Sequence, residues 1–325
     1  MNISETRYGQ LTILMPVYND WEALSLLLPV LDRELRANGL TVGILLVDDG
    51  STLAAPENFA ARFESIKTID VLSLRRNLGH QRAIAVGLSY IEANQPHCCV
   101  IVMDSDGEDD PKDVPRLVRE CAANQGEKIV FAARIRRSEG LRFTFFYHLY
   151  RLIHFLLTGV QVRVGNFSIV PPNALKRLVA VSELWNHYAA AVHKAKLPMG
   201  FIASERGARL EGPSRMDLVS LVVHGLSAMA VFGDRIGVRL LIVVSCGMVL
   251  AVTALAIVIA VRVGTDLAVP GWATYATGLL LVILTQMLLV IVVFVFVILA
   301  ARNAANVLPT RDYVHIMGDR QRIYG

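Results

Sequence analysis

The sequence predicts an α/β domain, in which helices cover a mostly parallel sheet, followed by a membrane hairpin. Over the first two hundred residues, short apolar runs alternate with segments whose leucines recur at helical spacing, which is typical of such a sheet. The last third contains two long uncharged stretches. The chain has 325 residues, 54% of them hydrophobic, and a mean hydropathy of +0.47. These two stretches account for the excess of apolar residues over an ordinary soluble domain.

Five apolar runs are the candidate strands: Leu11 to Met15, Val42 to Val47, Thr68 to Leu74, Cys98 to Met103 and Ile129 to Ala133. Helical periodicity follows the first, third and fourth runs. Ligands of open parallel sheets bind at the carboxyl ends of the strands. Polar clusters occupy three of those ends, so we expect them to meet at one edge: Pro16 to Asp20, Asp48 to Ser51 and Asp104 to Asp110.

The fourth run ends abruptly in Asp104-Ser105-Asp106, which places two carboxylates where a buried strand emerges. Hard cations such as Mg²⁺ or Mn²⁺ take oxygen ligands, usually one or two carboxylates plus substrate phosphates. The pattern therefore indicates a metal site beside a diphosphate. By itself, Asp-x-Asp is equally typical of a polar turn after a core strand, and its context decides between the two.

Two stretches near the C-terminus are long and apolar enough to cross a bilayer. Leu240 to Val261 and Leu267 to Ala301 contain no charged residue, and each exceeds the roughly 20 residues that a spanning helix needs. The link between them is short, and its Trp272 and Tyr275 suit the membrane interface, so the two helices should form a hairpin.

Charge predicts how this hairpin is oriented. The turn offers only Arg262, whereas arginines flank the outer ends, so both termini and the soluble domain should be cytoplasmic, in a multi-pass protein of the cell (inner) membrane. The polar residues Met1 to Gln10 lack the apolar core of a signal peptide. The four cysteines show no paired metal-ligand spacing, so we expect neither zinc nor disulfides.

The net charge of +4 comes without lysine-rich blocks, which argues against nucleic acid and favours phosphates and anionic headgroups as partners. Apolar and basic residues alternate over about 141–158, which indicates an amphipathic helix at the bilayer interface, or else a helix packed on the core. A second such segment is Leu218 to Phe232. The expected divisions are a soluble domain (1–210), a juxtamembrane helix (211–237), two spanning helices within 238–302 (about 238–261 and 273–300) and a cytoplasmic tail (303–325).

Four segments give the Asp-x-Asp its context: Met15-Pro16-Val17-Tyr18-Asn19-Asp20, Val47-Asp48-Asp49-Gly50-Ser51, Arg76-Asn77-Leu78-Gly79-His80-Gln81-Arg82-Ala83 and Met103-Asp104-Ser105-Asp106. In this order and spacing they resemble the family 2 glycosyltransferases, which have the GT-A fold. With the hairpin, the chain resembles the polyprenyl-phosphate type, which includes dolichol-phosphate-mannose synthase and bacterial GtrB. The resemblance implies a Rossmann-like sheet and an inverting transfer of a sugar from a UDP- or GDP-sugar to a polyprenyl phosphate, for use in the cell envelope. It also allows a homo-oligomer, because some members form tetramers.

The resemblance places seven residues around the nucleotide: Pro16, Tyr18, Asp20, Val47, Asp48, Asp49 and Arg134. Val47 and Asp49 match the base and ribose contacts, and Asp20 is one methylene shorter than the usual Glu. Asp104 and Asp106 match the metal motif. We also assign to the metal Glu108, which stands where relatives often carry Gln or His.

Arg209 and Arg215 match an Arg and a Lys that grip phosphate groups in the family, and with Asp104 and Asp106 they form the implied catalytic set. A guanidinium can hold a phosphate bidentately, so Arg at position 215 keeps this role. Cytoplasmic charge beside the membrane is the alternative reading of Arg215.

One departure from the family concerns its acidic Asp-Arg-Phe segment, where this chain has Trp185-Asn186-His187-Tyr188. Glu183 and His187 are the candidate substitutes for the missing carboxylate. A phosphate monoester has a second pKa of about 6, so a polyprenyl phosphate is already largely anionic and needs little help from a base.

Two other functions remain open. One is a glycosyltransferase that acts on a glycolipid or builds a polysaccharide; processive members carry Gln-x-x-Arg-Trp, and the nearest string here is Gln321-Arg322-Ile323-Tyr324. The other is a catalytically silent scaffold that binds the donor, which the altered segment at 186–188 suggests.

Overall fold

The structure is a computed structural model that describes residues 10–54, 62–134, 152–160, 165–205, 207, 209–211, 225–265, 271–303 and 307–325. The chain divides into two compact units. The first comprises Met1–Thr144, Val162–Val231 and Asn306–Gly325, and the second comprises Phe145–Gln161 and Phe232–Ala305.

The first unit is built on one sheet of eight strands: β1 (Leu11–Val17), β2 (Val42–Asp48), β3 (Ile66–Leu74), β4 (Cys99–Val102), β5 (Ile129–Arg134), β6 (Ser168–Val170), β7 (Met199–Ser204) and β8 (Met317–Tyr324). Their order across the sheet is β7-β5-β6-β4-β1-β2-β3-β8. The central strands β4, β1, β2 and β3 are parallel, and β7 is parallel to β5. Strand β6 lies antiparallel between β4 and β5, and β8 lies antiparallel beside β3. The predicted α/β class and mostly parallel sheet are confirmed.

The α-helices whose bounds are defined are α1 (Trp21–Ala37), α2 (His80–Asn94), α3 (Asp113–Ala123), α4 (Pro172–Leu178), α5 (Tyr188–Lys194), α6 (Gly233–Gly264), α7 (Trp272–Asn303) and α8 (Pro309–Ile316). Alternate side chains of β1 point to opposite faces of the sheet, so Ile13 and Met15 pack with the leucines of α1, whereas Leu14 packs against α2. The sheet therefore has a helical layer on each face.

Gly87 allows α2 to lie close to the sheet. A Cβ atom at this position would be 2.4 Å from Leu14 Cδ1 and 2.8 Å from Val47 Cγ2. This close approach places the first residues of α2, His80 and Gln81, near the carboxyl ends of the central strands.

The C-terminal residues add to the sheet, although the sequence predicts no secondary structure for 303–325. The carboxylate of Asp70, in β3, is buried and accepts hydrogen bonds from Arg320 Nη2 at 2.9 Å and Arg322 Nε at 3.0 Å. The Tyr324 hydroxyl bonds both the N–H and the carbonyl of Phe63, at 2.9 and 3.0 Å. Strand β8 is therefore an integral part of the first unit.

The second unit contains both long apolar helices. Gly233–Gly264 and Trp272–Ala300 have the length and composition to cross a membrane, and their apolar 18-residue stretches have mean hydropathies of 2.8 and 3.2. The first begins about five residues before the predicted start at 238. The chain is helical at 152–158 and at 225–230, while 141–151 and 218–224 of the two predicted amphipathic segments lie outside the described residues.

Candidate active site

The loops after β1 and β2 are locked together by Asn19. This residue has a left-handed backbone (φ 56°), and its side-chain oxygen accepts hydrogen bonds from the N–H groups of Thr52 (2.8 Å) and Leu53 (2.9 Å). Its own N–H donates to the Ser51 hydroxyl at 2.9 Å. Two of the predicted polar clusters therefore form one surface at the carboxyl edge of the sheet.

The two carboxylates at the end of β2 have different surroundings. Asp48 is half-buried and accepts a bond from Ser51 N–H at 2.9 Å. Asp49 is buried, and its two oxygens accept from the N–H groups of Leu78 (2.7 Å) and Gly79 (2.8 Å). Burial raises the pKa of Asp49 above its ordinary value, against the effect of these two N–H donors. Asp49 thus ties β2 to the start of α2.

The Asp-x-Asp turn is held by several hydrogen bonds. Asp104 N–H donates to the buried Asp109 carboxylate at 3.0 Å, and the Ser105 hydroxyl donates to the Pro16 carbonyl at 2.9 Å. Glu108 N–H donates to Asp106 Oδ1 at 3.0 Å. Both side chains of the motif remain partly accessible, with exposures of 23% for Asp104 and 17% for Asp106.

Two basic side chains contact these carboxylates. The Arg209 guanidinium donates to Asp106 Oδ2 at 3.2 Å and to Asp20 Oδ1 at 2.7 Å, so it joins the loops after β1 and β4. His80 Nε2 lies 3.1 Å from Asp104 Oδ1. The structure therefore brings together Asp20, Asp104, Asp106 and Arg209, all of which the sequence predicts as site residues.

Backbone contacts explain how Arg209 reaches the turn. Gly207 N–H donates to the Glu108 carbonyl at 2.9 Å, and Leu210 N–H donates to the Asp106 carbonyl at 3.0 Å. A Cβ atom on Gly207 would lie 2.7 Å from the Gly107 carbonyl oxygen, so only glycine permits this approach. The chain after β7 consequently runs directly across the Asp-x-Asp turn.

The cluster is rich in negative charge. Burial raises the pKa of Asp106, and the neighbouring carboxylates of Asp104 and Glu108 raise it further, against the effects of Glu108 N–H and Arg209. Burial lowers the pKa of His80, but the neighbouring carboxylates of Asp104, Asp109 and Asp106 together raise it above its ordinary value. Hard oxygen ligands in an environment that favours added positive charge fit a divalent cation.

The predicted metal triplet is not assembled, however. Within the described ranges, no three His, Cys, Asp or Glu side chains are grouped as a metal ion would require. Glu108 therefore does not complete a site with Asp104 and Asp106, and its backbone is held on both sides, by the Asp106 carboxylate and by Gly207. If two protein carboxylates bind a cation, substrate phosphates and water can fill its remaining coordination positions.

Neither candidate for the missing family carboxylate is placed as a base. Glu183 pairs with Lys194 Nζ at 3.0 Å, and these contacts lower its pKa despite partial burial. His187 is buried at the start of α5, where its Nδ1 accepts a bond from Ala190 N–H at 3.4 Å. Both side chains serve local structure.

Other predicted residues lie in varied positions. Val47 is wholly buried in the core between the sheet and α2, so its side chain cannot contact a nucleotide, and that prediction is wrong.

Pro16 is buried in β1, and Tyr18, just beyond it, is 39% exposed. Arg134 is the last residue of β5, at the same edge of the sheet, and Arg215 lies outside the described residues. The string Gln321 to Tyr324 lies in β8, at the far side of the sheet from β4.

Comparison with known proteins gives a family. Residues 12–185 match the family described as Glycosyl transferase family 2. An undecaprenyl-phosphate 4-deoxy-4-formamido-L-arabinose transferase from Edwardsiella ictaluri is 28% identical, with 69% of this chain and 71% of that protein covered. The same enzyme from Erwinia tasmaniensis is 31% identical over 138 residues, and here the match covers only 42% of this chain and 41% of the relative.

Among solved structures, glucosyl-3-phosphoglycerate synthase from Mycobacterium tuberculosis, in complex with Mn²⁺, UDP-glucose and phosphoglyceric acid, is similar with a TM-score of 0.50. The match covers 72% of this chain and 82% of that protein at 16% sequence identity, so it shows the fold alone. The family match spans more than half of the 325 residues and contains the Asp104 and Asp106 turn. The chain therefore belongs to glycosyl transferase family 2.

Proposed function

We propose that this enzyme transfers a sugar, with inversion, from a nucleoside-diphosphate sugar to a polyprenyl phosphate at a membrane surface. The observation that carries the proposal is the pair Asp104 and Asp106, gathered with Arg209 at the carboxyl edge of the sheet in a chain with two membrane-length helices. The similar proteins are undecaprenyl-phosphate sugar transferases, which supports this acceptor.

The nucleotide would lie on the joined loops after β1 and β2, where Tyr18 and Asp48 are accessible. Asp49 shapes this surface through its bonds to the start of α2. Arg134, at the end of β5, is the candidate contact on the sugar side. We leave Val47 out of the donor site because it has no exposed surface.

Asp104 and Asp106 would hold a divalent cation, Mg²⁺ or Mn²⁺. When bound, such a cation neutralises the diphosphate and so makes it a better leaving group. Glucosyl-3-phosphoglycerate synthase, which has a similar fold, was solved in complex with Mn²⁺ and UDP-glucose, and this is compatible with the assignment. Arg209, beside Asp106, would then meet phosphate oxygens, which a guanidinium can bind with two parallel hydrogen bonds. Arg215 remains a second candidate for the same role.

The displacement needs no protein base. A phosphate oxygen of the acceptor forms the new bond to the anomeric carbon while the bond to the diphosphate breaks, and the nucleoside diphosphate leaves with the electron pair. A phosphate monoester has a second pKa of about 6, so the attacking oxygen carries negative charge at neutral pH. This agrees with the structural use of Glu183 and His187.

We further propose that α6 and α7 form a two-pass hairpin with the first unit in the cytoplasm. The residues on either side of this hairpin, up to Val231 and from Asn306, belong to the same compact unit, which supports an even number of crossings. The arginines at the outer ends of the hairpin support the cytoplasmic side.

The test is transfer by the purified full-length protein from a panel of UDP- and GDP-sugars to undecaprenyl phosphate, with Mn²⁺, with Mg²⁺ and with a chelator. Asp104→Asn should lower kcat at least about 100-fold, because it removes a charged ligand without changing shape. Asp110→Asn, in the same loop, should stay near wild type, because an amide oxygen can still accept the bond from Lys112 N–H. Full activity of Asp104→Asn, or full activity after chelation, would contradict the proposal.

A further inference from the structure

One carboxamide side chain lies in the middle of α7. Gln286 is the central residue of Trp272–Ala300, the part of this helix with the length and composition to cross a membrane. At a rise of about 1.5 Å per residue, it lies about 21 Å from either end of that stretch, and the hydrocarbon core of a bilayer is about 30 Å thick. When α7 spans the membrane, the Gln286 carboxamide is therefore close to the bilayer midplane.

The Gln286 side chain points away from α6. The next residue, Met287, faces α6, because its Cε would be 2.8 Å from a Cβ atom on Gly247. Successive residues of an α-helix are rotated by about 100°, so Gln286 lies to one side of this contact, and it is exposed. We define the Gln286 face by this residue and the exposed residues one or two turns away on the same side of α7: Leu279, Val282 and Val293.

The carboxamide, rather than the apolar residues around it, indicates that this face has a protein partner. Lipid can cover the apolar side chains, as it does on any membrane helix. Among the described residues, however, the Gln286 amide makes no hydrogen bond, whereas the adjacent Thr285 hydroxyl donates to the Leu281 carbonyl at 2.9 Å. A polar group in hydrocarbon without a hydrogen-bond partner is strongly disfavoured. The polar groups of lipids lie at the bilayer surface, so they cannot reach the midplane.

A second copy of this chain offers a matching group at the same depth. A carboxamide contains both donors and an acceptor, so two of them can form reciprocal hydrogen bonds across a twofold axis. Copies that insert in the same orientation have parallel α7 helices, which places both Gln286 side chains at the midplane. A single polar side chain of this kind also fixes the register of two paired helices.

We propose that the Gln286 face joins two copies of this chain in the membrane through their paired Gln286 carboxamides. This inference rests on the membrane hairpin that the proposed function includes. It does not depend on the sugar donor, the acceptor or the metal. The pairing can therefore fail without affecting the proposed transfer reaction.

The first test measures association of the purified full-length protein in phosphatidylethanolamine and phosphatidylglycerol vesicles. Energy transfer between copies labelled at the N-terminus is followed as lipid is added. Gln286→Leu should weaken association about tenfold, because it removes hydrogen bonds between membrane helices. Gln286→Asn keeps a carboxamide and should restore most of the association. Thr285→Val is the control, because it removes a hydroxyl that already bonds within its own helix, and it should match wild type.

Disulfide cross-linking tests which side of α7 is paired. Cys246, the exposed cysteine, is first replaced by alanine. In that background Val293→Cys, two turns from Gln286 on the same face, should form a linked dimer when the vesicles are treated with copper phenanthroline. Leu288→Cys is the matched control, since Leu288 is 55% exposed, compared with 52% for Val293, but lies about 200° around the helix from Gln286. It should remain monomeric.

Two results would overturn the inference: equal association of Gln286→Leu and wild type, or cross-linking at position 288 and not at 293. A wild-type protein that is monomeric in the vesicles would also overturn it and would show that lipid or another protein covers the Gln286 face. Transfer to undecaprenyl phosphate by such a monomer would leave the proposed function intact. Release of the wild-type protein from membranes by alkaline carbonate would instead contradict the spanning helices themselves.

Discussion

The Arg209 guanidinium lies 3.2 Å from the Asp106 carboxylate, and the two residues are 103 positions apart in the sequence. Their side chains are only 15% and 17% exposed, so water screens the attraction weakly. The same guanidinium also binds Asp20. In this arrangement Arg209 supplies positive charge to a carboxylate that the proposed function assigns to a cation.

Arg209→Gln should therefore have opposite effects on two measurements. Mn²⁺ affinity without the donor should rise several-fold, because the variant removes a positive charge beside Asp106, to which the proposed function assigns the cation. Transfer should fall about 100-fold in kcat, because the diphosphate loses a charged hydrogen-bond donor. Electron paramagnetic resonance and transfer kinetics on the same preparations measure both.

Arg322→Gln is the matched control for Arg209→Gln. It removes the same charge from an arginine that pairs with Asp70, beside β8 and away from the proposed site. Neither metal affinity nor kcat should change in the control. If Arg209→Gln left both quantities at their wild-type values, the contact with Asp106 would have no part in the reaction.

The core of the site could be predicted from the sequence because its signal is local. An apolar run that ends in Asp104-Ser105-Asp106 indicates both the buried strand and the carboxylates at its end. The hydrogen bond between Gln81 and Asn166 could not be predicted in this way. Asn166 is 85 residues from Gln81, and the two meet only because β6 inserts antiparallel between β4 and β5. Val47 shows the limit of a local signal. It matches a family motif, but α2 packs over it and buries its side chain.

The ion pair of Glu183 with Lys194 should make stability depend on pH. Contacts with Lys194 hold the pKa of Glu183 below its ordinary value although burial opposes them. A carboxyl group with a lowered pKa in the folded state stabilises the protein above its unfolded pKa, and this contribution is lost as the pH falls through the folded value. Glu183→Gln should therefore lower Tm at pH 7, and the difference from wild type should begin to shrink below the ordinary Glu pKa of about 4.3 and disappear below the lowered folded pKa.

Activity provides the second measurement on this pair. Transfer at pH 7, measured at a temperature where both proteins are folded, should be unchanged in Glu183→Gln. Lys194→Gln should reproduce the pH-dependent loss of Tm, because it breaks the same ion pair. A folded Glu183→Gln protein that had lost transfer would instead identify Glu183 as the base that the family comparison leaves unassigned.

Strand β8 was not predicted because its sequence resembles a solvated tail. Met317–Tyr324 contains three charged residues, and its apolar content is low. What makes it a strand is tertiary: β3 offers an edge, and the buried carboxylate of Asp70 needs a partner. Such a context lies outside the local pattern from which strands are predicted.

Replacing both arginines of β8 should lower the free energy of unfolding by more than the sum of the two single substitutions. With Arg320→Gln or Arg322→Gln alone, the other arginine still compensates Asp70, and each partly exposed pair should contribute less than about 1 kcal/mol. The double variant leaves a buried carboxylate uncompensated and should lower the free energy of unfolding by about 2 kcal/mol. Asp70→Asn in the double background should restore much of this loss, as urea unfolding would measure. No recovery would show that backbone pairing, rather than charge, holds β8.

Gly87→Ala tests whether the approach of α2 to the sheet sets the position of His80 beside Asp104. Alanine favours a helix interior by about 1 kcal/mol over glycine. Its Cβ would meet Leu14 and Val47 at 2.4 and 2.8 Å in a closed core, where overpacking costs about 1 to 3 kcal/mol, so we expect a lower Tm. Because His80 and Gln81 begin the same helix, Mn²⁺ affinity should fall with it. Gly278→Ala, within α7 and with open space around its Cβ, should keep its Mn²⁺ affinity and should not lower Tm, whereas a higher Tm for Gly87→Ala would show that α2 can move away from the sheet without cost.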